Sequence, residues 1–373
     1  MKILIAPDKF KGSLSAQQVC EAIAEGILSA DNSLQVKVHP LADGGDGSLE
    51  VLDNHFELEK ITCSTVDSLG RAMQAQYLVS SAAGAFIEVA AASGMVLLQP
   101  EERNPMKTSS LGTGILIADA LQRGVQHINL LLGGSATNDA GTGILQALGY
   151  QFLDEEGATL SPNGETLFRI RKIVPPADSA LQACTFSLLC DVTNPFSGTN
   201  GAAHIFAHQK GANNAMVQQL DDGLKSFAKV ITATTGVDVT NVPGAGAAGG
   251  IGGGLVGLLG AEIISGTQQF IHLTGFEKLV TQHDVIITGE GSLDQQSLNG
   301  KVVDGVATLA RKHGKKLVLV SGINQLSTAQ AASIGADLCM DIMSMAPSQE
   351  AAMGQAGEYL RQIGQAVFSE SRE

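Results

Sequence analysis

Strand, loop and helix patterns alternate at both ends of the chain, and this restricts the fold more than any other feature. The apolar run 3–7 precedes a polar loop and a helix pattern in which Val19, Ile23 and Ile27 recur every four residues. The alternation returns near the end of the chain, with strand patterns at 285–288, 317–320 and 337–342. Such alternation is typical of a parallel sheet with helices packed on its faces.

The middle of the chain has a more mixed pattern. Strand patterns at 73–79 and 85–90 are separated by a short polar loop, which predicts a hairpin. We therefore predict an α/β fold with two α/β domains, one containing a parallel sheet and the other inserted in it. The first domain is expected to comprise 1–60 and 284–373, and the inserted domain 61–283.

Composition excludes several classes of protein. The chain carries 37 acidic and 23 basic side chains, so its formal charge of −14 argues against a nucleic-acid partner. Its five cysteines form no C-x-x-C pair, which predicts reduced thiols and a cytoplasmic location. The first apolar run is too short for a secretory signal. The stretch 244–261 contains only Gly, Ala, Ile, Leu and Val, but its nine glycines argue against a membrane span.

Glycines and polar residues follow the strand patterns, where open α/β sheets bind their ligands. The loop 8–13 has two lysines before a helix and suits a phosphate or a carboxylate, although a solvated turn would use the same residues. The loop 43–47 offers Asp43 and Asp46 for Mg²⁺, for proton transfer or for a helix cap. The loop 133–139 resembles a phosphate cradle, but it lacks the lysine of a Walker A loop.

Two later segments complete this set of loops. Gly244, Gly246 and Gly249 match G-x-G-x-x-G, yet no strand pattern precedes them, so a nicotinamide-dependent oxidoreductase is a weak alternative. A glycine-rich cover over phosphates and close helix packing fit this segment equally well. The loop 288–301 combines two carboxylates with a lysine, a mixture that suits Mg²⁺ and phosphates.

Taken in order, these loops resemble the type 1 family of bacterial glycerate kinases, whose members phosphorylate D-glycerate with ATP. The matching segments are 5–8 with 10–15, 41–45, 133–139, 243–250 and 288–291, with shorter matches at 70–71, 88–94, 103–105, 112–114, 191–195 and 209–212. The resemblance implies transfer of the γ-phosphoryl group of ATP to glycerate, usually giving 2-phosphoglycerate. It also implies that one of the two α/β domains is flavodoxin-like and that the active site lies in the cleft between them.

Phosphoryl transfer requires cations and Mg²⁺ around the phosphates and a base near the acceptor hydroxyl. The hypothesis is that Asp191 or Asp43 accepts the hydroxyl proton, and that Glu290 and Asp294 help to hold Mg²⁺. We expect Lys11 and Lys301 to contact phosphates. The residues predicted to bind the acceptor are Asp8, Lys9, Arg71, Arg103, Asn194 and Lys210, with Arg71 or Arg103 on its carboxylate. The residues predicted to bind the nucleotide are Gly44, Gly45, Gly133, Gly134, Ser135, Asn138, Gly246, Gly249, Gly289 and Gly291.

Three alternatives remain open from the sequence. In the first, the phosphoryl group is transferred to the 3-hydroxyl of glycerate. In the second, the acceptor is a related small hydroxy acid. In the third, the chain is a non-catalytic two-domain sensor of a small acid. The expected partners are D-glycerate and ATP, with no nucleic acid and no membrane, and with a homodimer as one expectation.

Overall fold

The computed structural model describes residues 1–177, 179–298 and 300–370. The strands are β1 (Lys2–Ile5), β2 (Gln35–Val38), β3 (Glu59–Val66), β4 (Ala72–Ser80), β5 (Gly84–Glu88), β6 (His127–Leu131), β7 (Gln151–Leu153), β8 (Lys172–Val174), β9 (Thr185–Leu189), β10 (Glu262–Ile264), β11 (Val285–Leu293), β12 (Lys316–Asn324) and β13 (Leu338–Asp341). The helices are α1 (Ala16–Ala30), α2 (Ser48–His55), α3 (Ala90–Ser93), α4 (Leu111–Gln122), α5 (Thr142–Ala147), α6 (Ser179–Ala183), α7 (Ala202–Phe206), α8 (Asn214–Thr235), α9 (Ala247–Leu259), α10 (Gly266–Leu273), α11 (Phe276–Gln282), α12 (Val302–Lys312), α13 (Thr328–Ser333), α14 (Gln349–Gly354) and α15 (Ala356–Glu370).

The chain forms two compact units. The first domain comprises Met1–Asp43 and the chain from Ser265 onward, and the inserted domain comprises Gly44–Ile264. Both divisions fall earlier than the boundaries at 60/61 and 283/284 that the alternation pattern predicts. The reason is tertiary packing that a local pattern does not contain, since α2 packs on β4 and β5, whereas α10 and α11 pack on α12 and β1.

The first domain contains a five-stranded parallel sheet in the order β13-β12-β11-β1-β2. Counted within this domain, the order is 2-1-3-4-5, which is that of flavodoxin-like folds. Apolar side chains alternate along β1 to both faces. Ile3 and Ile5 join the core under α1 and α15, and Leu4 joins the core under α11 and α12. The prediction of a parallel α/β fold is confirmed.

β11 and β12 run further than the apolar patterns indicate. The sequence predicts a loop from Thr288, and this is wrong, because β11 continues to pair with β12 in register through Glu290↔Ser321 to Leu293↔Asn324. A Cβ atom at Gly289 would lie only 1.6 Å from the carbonyl oxygen of Val320, so glycine permits this pairing. Glu290 therefore lies in a strand.

The inserted domain contains a six-stranded sheet in the order β10-β9-β6-β5-β4-β3. β10, β9, β6 and β5 are parallel, and β4 pairs antiparallel with both of its neighbours. The hairpin predicted around residues 80–84 is confirmed. A separate antiparallel pair joins β7 and β8.

Two expectations from composition concern cysteines and membrane spans. All five cysteines lie in the described part of the chain, and none of them forms a disulfide. None of the helices described is both long enough and apolar enough to cross a membrane. The glycine-rich stretch that imitates a span contains α9, which is packed into the core of the inserted domain.

In the first domain, α1 and α15 pack against each other with their backbones in close contact. A Cβ atom at Gly26 would lie 2.1 Å from the carbonyl oxygen of Arg361, and one at Gly364 would lie 2.4 Å from that of Ile23. We expect Gly26→Ala to destabilise the protein by about 1–3 kcal/mol, because the helices must separate. Thermal unfolding measures this, with Gly354→Ala as the control, since a Cβ there meets nothing within 4 Å. Equal stability of the two variants would contradict the contact.

Candidate active site

Three carboxylates converge at the carboxyl end of the first domain's sheet. Backbone hydrogen bonds extend the pairing of β1 beyond Ile5, because the Asp8 amide donates to Gly289 O (2.9 Å) and the Leu41 amide donates to Pro7 O (3.1 Å). These bonds bring Asp8, after β1, close to Asp43, after β2, and to Glu290 in β11. In this strand order the first and third strands flank the topological switch point, where ligands of flavodoxin-like folds bind.

The surroundings of Asp8 change the pKa of its carboxyl group. Burial, with the negative charges of Asp43 and Glu290, raises the pKa of Asp8 to about 8, although Lys9 acts in the opposite direction. The Lys9 amide also donates to Asp8 Oδ1 at 2.7 Å. Burial likewise raises the pKa of Glu290, against the effect of Lys301. Carboxylates held in this way are typical of functional sites.

The raised pKa of Asp8 predicts a stability effect. The folded chain keeps the proton up to about pH 8, whereas the unfolded chain releases it near pH 3.8. The stabilising contribution is therefore complete below pH 3.8 and is lost as the pH rises to about 8. Asparagine cannot ionise, so we expect Asp8→Asn to raise the unfolding temperature by roughly 3–6 °C at pH 8 and to change it little at pH 4. Calorimetry at both values measures this, with the exposed Asp222→Asn as the control, and a stability gain that does not depend on pH would contradict the proposed cause.

Glu290 lies beside a lysine and a second acid. Lys301 Nζ is 3.7 Å from Glu290 Oε2. Asp294 lies near enough to act on the charge of Glu290, and its Oδ1 accepts from the Ser297 amide at 3.3 Å. Lys301 is also the N-cap residue of α12, whose N-terminal amides carry partial positive charge. The structure therefore brings together the residues predicted for Mg²⁺ and one of the two lysines predicted for phosphates.

The donors in this cluster fit a divalent cation that is shared with phosphates. Glu290 Oε1 is buried and has no hydrogen-bond partner among the described residues. Within the same residues, no group of three or more His, Cys, Asp or Glu side chains is placed to hold a metal ion. Mg²⁺ is commonly held by one or two carboxylates together with substrate phosphates and water, so this arrangement fits Mg²⁺ better than it fits a closed metal cage.

The other predicted residues of the first domain border this cluster. A Cβ atom at Gly291 would lie 3.2 Å from the amide nitrogen of Lys11, so the loop after β1 runs against the end of β11. Lys11 itself is exposed. Its predicted contact with a phosphate stays a prediction.

The inserted domain has a separate polar cluster around Lys210. This lysine is 3% exposed, and its Nζ donates to Ser135 Oγ (2.9 Å) and to Thr137 O (2.7 Å). Burial lowers the pKa of Lys210 to about 7, although the carboxylate of Asp139 acts in the opposite direction. The loop 133–139 has no lysine of its own, and Lys210 supplies one from a 3-10 turn elsewhere in the domain.

Asp139 fixes the conformation of this loop. Its Oδ2 accepts from the amide (2.7 Å) and hydroxyl (2.8 Å) of Ser110, and its Oδ1 accepts from the Gly141 amide (3.2 Å). Burial raises the pKa of Asp139, and these hydrogen bonds oppose that effect. The carboxylate is thus fully used in holding the loop.

Several buried polar atoms in the loop 133–139 and at Arg103 lack hydrogen-bond partners. Arg103 Nε, Thr137 Oγ1 and both amide atoms of Asn138 have no hydrogen-bond partner in the described part of the chain. The backbone of Arg103 lies against Gly211, where a Cβ atom would be 2.1 Å from Arg103 O. Each buried polar group without a partner costs about 1–3 kcal/mol, so such a concentration indicates a binding site.

Glycines bring other predicted nucleotide contacts of the inserted domain together. A Cβ atom at Gly133 would lie 2.3 Å from Gly45 Cα. Gly249 has φ +71° and would place a Cβ 2.0 Å from Thr137 O, so its left-handed backbone packs directly on the polar loop. The Gly246 amide donates to Asn194 O at 3.0 Å. Close packing accounts for these glycines, and their contact with a nucleotide stays a prediction.

Arg71 is already engaged by protein carboxylates. Its Nε donates to Asp67 and its Nη1 to Glu102 Oε1 at 2.6 Å, in an exposed position. His204 and His208 lie four residues apart but contact different groups, since His208 Nδ1 lies 2.9 Å from Ala212 O and His204 Nε2 lies 3.6 Å from Asp221 Oδ2. Asp191 follows β9 in the inserted domain, and its proposed role as base stays a prediction.

Ser321 and Thr137 are two candidate functional residues that the sequence does not predict. Ser321 lies beside Glu290 in the register of β11 and β12, and its Oγ is buried without a partner among the described residues. The signal was available, because a polar residue and a glycine follow the buried apolar run of β12. Thr137 lies in the predicted loop 133–139, but its carbonyl oxygen accepts from Lys210, which is distant in the sequence.

The comparisons with known proteins agree on one family. The model of the glycerate kinase family matches residues 3–371. A glycerate kinase of Halalkalibacterium halodurans is 37% identical, covering 98% of this chain and 97% of that protein. A glycerate 2-kinase of Escherichia coli is 42% identical, covering 86% and 85%. A solved structure assigned as glycerate kinase 2 of Salmonella typhimurium LT2 has a TM-score of 0.82 at 36% identity, covering 100% of this chain and 98% of that one.

The two-domain α/β fold and these relatives define an enzyme of the kinase class. The chain belongs to the glycerate kinase family, as its loops indicate.

Proposed function

We propose that this kinase transfers the γ-phosphoryl group of ATP to the 2-hydroxyl of D-glycerate, giving 2-phospho-D-glycerate and ADP. The observation that carries the proposal is the cluster of Asp8, Asp43 and Glu290 with Lys301 at the switch point of a flavodoxin-like sheet. Carboxylates and a lysine at this position suit a metal-bound triphosphate. The glycerate 2-kinase of E. coli supports the choice of the 2-hydroxyl.

Glu290 and Asp294 would hold Mg²⁺, which when bound neutralises charge on the transferred phosphoryl group. Lys301 and Lys11 bind phosphate oxygens as point charges, and the amides at the start of α12 add partial positive charge. Asp43 or Asp191 accepts the proton of the attacking hydroxyl, which strengthens that oxygen as a nucleophile.

The acceptor contacts in this proposal are those that the sequence predicts. Asp8, Lys9, Arg71, Arg103, Asn194 and Lys210 bind D-glycerate, and the glycine-rich loops approach the nucleotide. Arg71 is the weakest of these because its guanidinium already binds Asp67 and Glu102. The location of the active site between the domains stays a prediction.

The test is an ADP-release assay with purified protein, Mg²⁺-ATP and each enantiomer of glycerate, followed by phosphorus NMR of the product. Turnover that depends on D-glycerate, with a 2-phosphate product, is the expected result. A 3-phosphate product would replace the proposed regiochemistry. Absence of turnover from folded protein, with glycerate still bound, would instead favour the non-catalytic sensor.

A further inference from the structure

The buried lysine of the inserted domain has capacity for a ligand. Lys210 Nζ donates to Ser135 Oγ and to Thr137 O. An ammonium group carries three N–H donors, and these two bonds use two of them. Its nearest opposing charge, Asp139, already accepts from Ser110, Gly141 and Gly143, and acts on the lysine only through the electrostatic field.

The loop that binds this lysine, together with Arg103, carries buried polar atoms without partners. Arg103 Nε, Thr137 Oγ1 and both Asn138 Nδ2 and Asn138 Oδ1 have no hydrogen-bond partner among the described residues. The backbone of Arg103 lies against Gly211, the residue that follows Lys210. A guanidinium, an amide, a hydroxyl and an ammonium together offer more donors than acceptors and so favour a ligand group rich in acceptors, and a carboxylate is the smallest such group in the proposed reaction.

We propose that Lys210, with Arg103, Thr137 and Asn138, forms the subsite for the carboxylate of the acceptor, and that Lys210 takes up one proton from solvent when this carboxylate binds. The identity of the acceptor rests on the proposed function. Asn138, which the sequence predicts to contact the nucleotide, is thereby reassigned to the acceptor.

Burial explains why a proton moves. Burial lowers the pKa of Lys210 to about 7, so the neutral amine is favoured at pH 8 in the free protein. A bound carboxylate favours the ammonium form, so a proton passes from water to the lone pair of Nζ. No covalent bond forms between protein and ligand. Arg103 stays charged throughout, and Asp139 is the other titratable group that acts on this lysine.

The experiment is titration calorimetry of the full chain with D-glycerate at pH 8, without nucleotide, in two buffers of different ionisation enthalpy. The expected result is proton uptake on glycerate binding at pH 8, and a smaller uptake at pH 6. Glycerol, which lacks the carboxylate, is expected to cause no uptake. Lys210→Met should weaken glycerate binding at least tenfold, Lys210→Arg should bind without uptake, and the exposed Lys229→Met serves as the control.

Each opposite result overturns the inference. Glycerate binding without buffer-dependent heat in the parent protein removes the proton step, and this measurement does not require any variant to fold. Unchanged affinity in Lys210→Met, or no glycerate binding by the folded parent, removes the subsite. Proton uptake on binding ADP but not glycerate assigns the cluster to phosphates. Uptake with glycerate in a protein that shows no turnover would keep this inference and reject the proposed kinase reaction.

Discussion

Asp43→Asn or Asp191→Asn is expected to lower kcat by about 10²–10⁴-fold, the usual contribution of a general base. Asparagine keeps the size of the side chain and removes the acceptor for the proton of the attacking hydroxyl. Asp43 is favoured, because it lies close enough to Asp8 and Glu290 to raise the pKa of both, and therefore belongs to the carboxylate cluster. The measurement is kcat under saturating Mg²⁺-ATP and D-glycerate.

The control for this pair is Asp222→Asn, which removes an exposed carboxylate from α8. It should retain the kcat of the parent. Circular dichroism and thermal unfolding establish that each variant is folded. If both Asp43→Asn and Asp191→Asn keep nearly normal kcat, neither residue is the base.

Glu290→Gln is expected to lower kcat by about 10²–10³-fold and to raise the Mg²⁺ concentration needed for half-maximal rate. The substitution preserves shape but removes the charge beside Lys301 and replaces an oxygen available to a cation. It also leaves Lys301 without this acidic neighbour, so phosphate and metal binding change together. Initial rates over a range of Mg²⁺ concentrations at fixed ATP give the maximal rate and the Mg²⁺ concentration for half-maximal rate as two separate quantities.

The first domain provides a matched control, Glu277→Gln. Glu277 pairs with Lys312 at 2.7 Å in an exposed position, so its substitution removes a similar ion pair outside the carboxylate cluster. We expect little change in kcat or in Mg²⁺ dependence from this variant. Equal loss of activity in Glu277→Gln and Glu290→Gln would show that removing any carboxylate charge from this domain lowers kcat, whatever its position.

Periodicity predicts the strands of both sheets well because buried parallel strands are short apolar runs, as at 285–288 and 317–320. It does not predict where those strands end. The segment Gly289–Leu293 has the composition of a loop, and only the neighbouring β12 makes it a strand. For the same reason, the local pattern places α2 in the first domain and α11 in the inserted domain, whereas the structure places α2 in the inserted domain and α11 in the first.

The chemistry of the site divides in a similar way. Residue types and their order predict Asp8, Asp43 and Glu290 as functional, but spacing along the chain contains no distance, so their mutual effect on pKa had to come from the fold. The pairing of Lys210 with Ser135 joins residues 75 positions apart. For Arg71, the motif predicts a contact with the acceptor, but the sequence does not show that Asp67 and Glu102 already bind its guanidinium.

The position of β1 has a consequence for how the chain is made. β1 pairs with β2 on one side and with β11 on the other, and β11 begins only at Val285. While a ribosome is still synthesising the chain, the strands of the inserted domain are complete before the first domain has its third strand. Domains generally fold as units during synthesis. We therefore expect the inserted domain to fold on the nascent chain before β1 and β2 can pair with β11. The carboxylates of Asp8 and Glu290 then come together only late in translation.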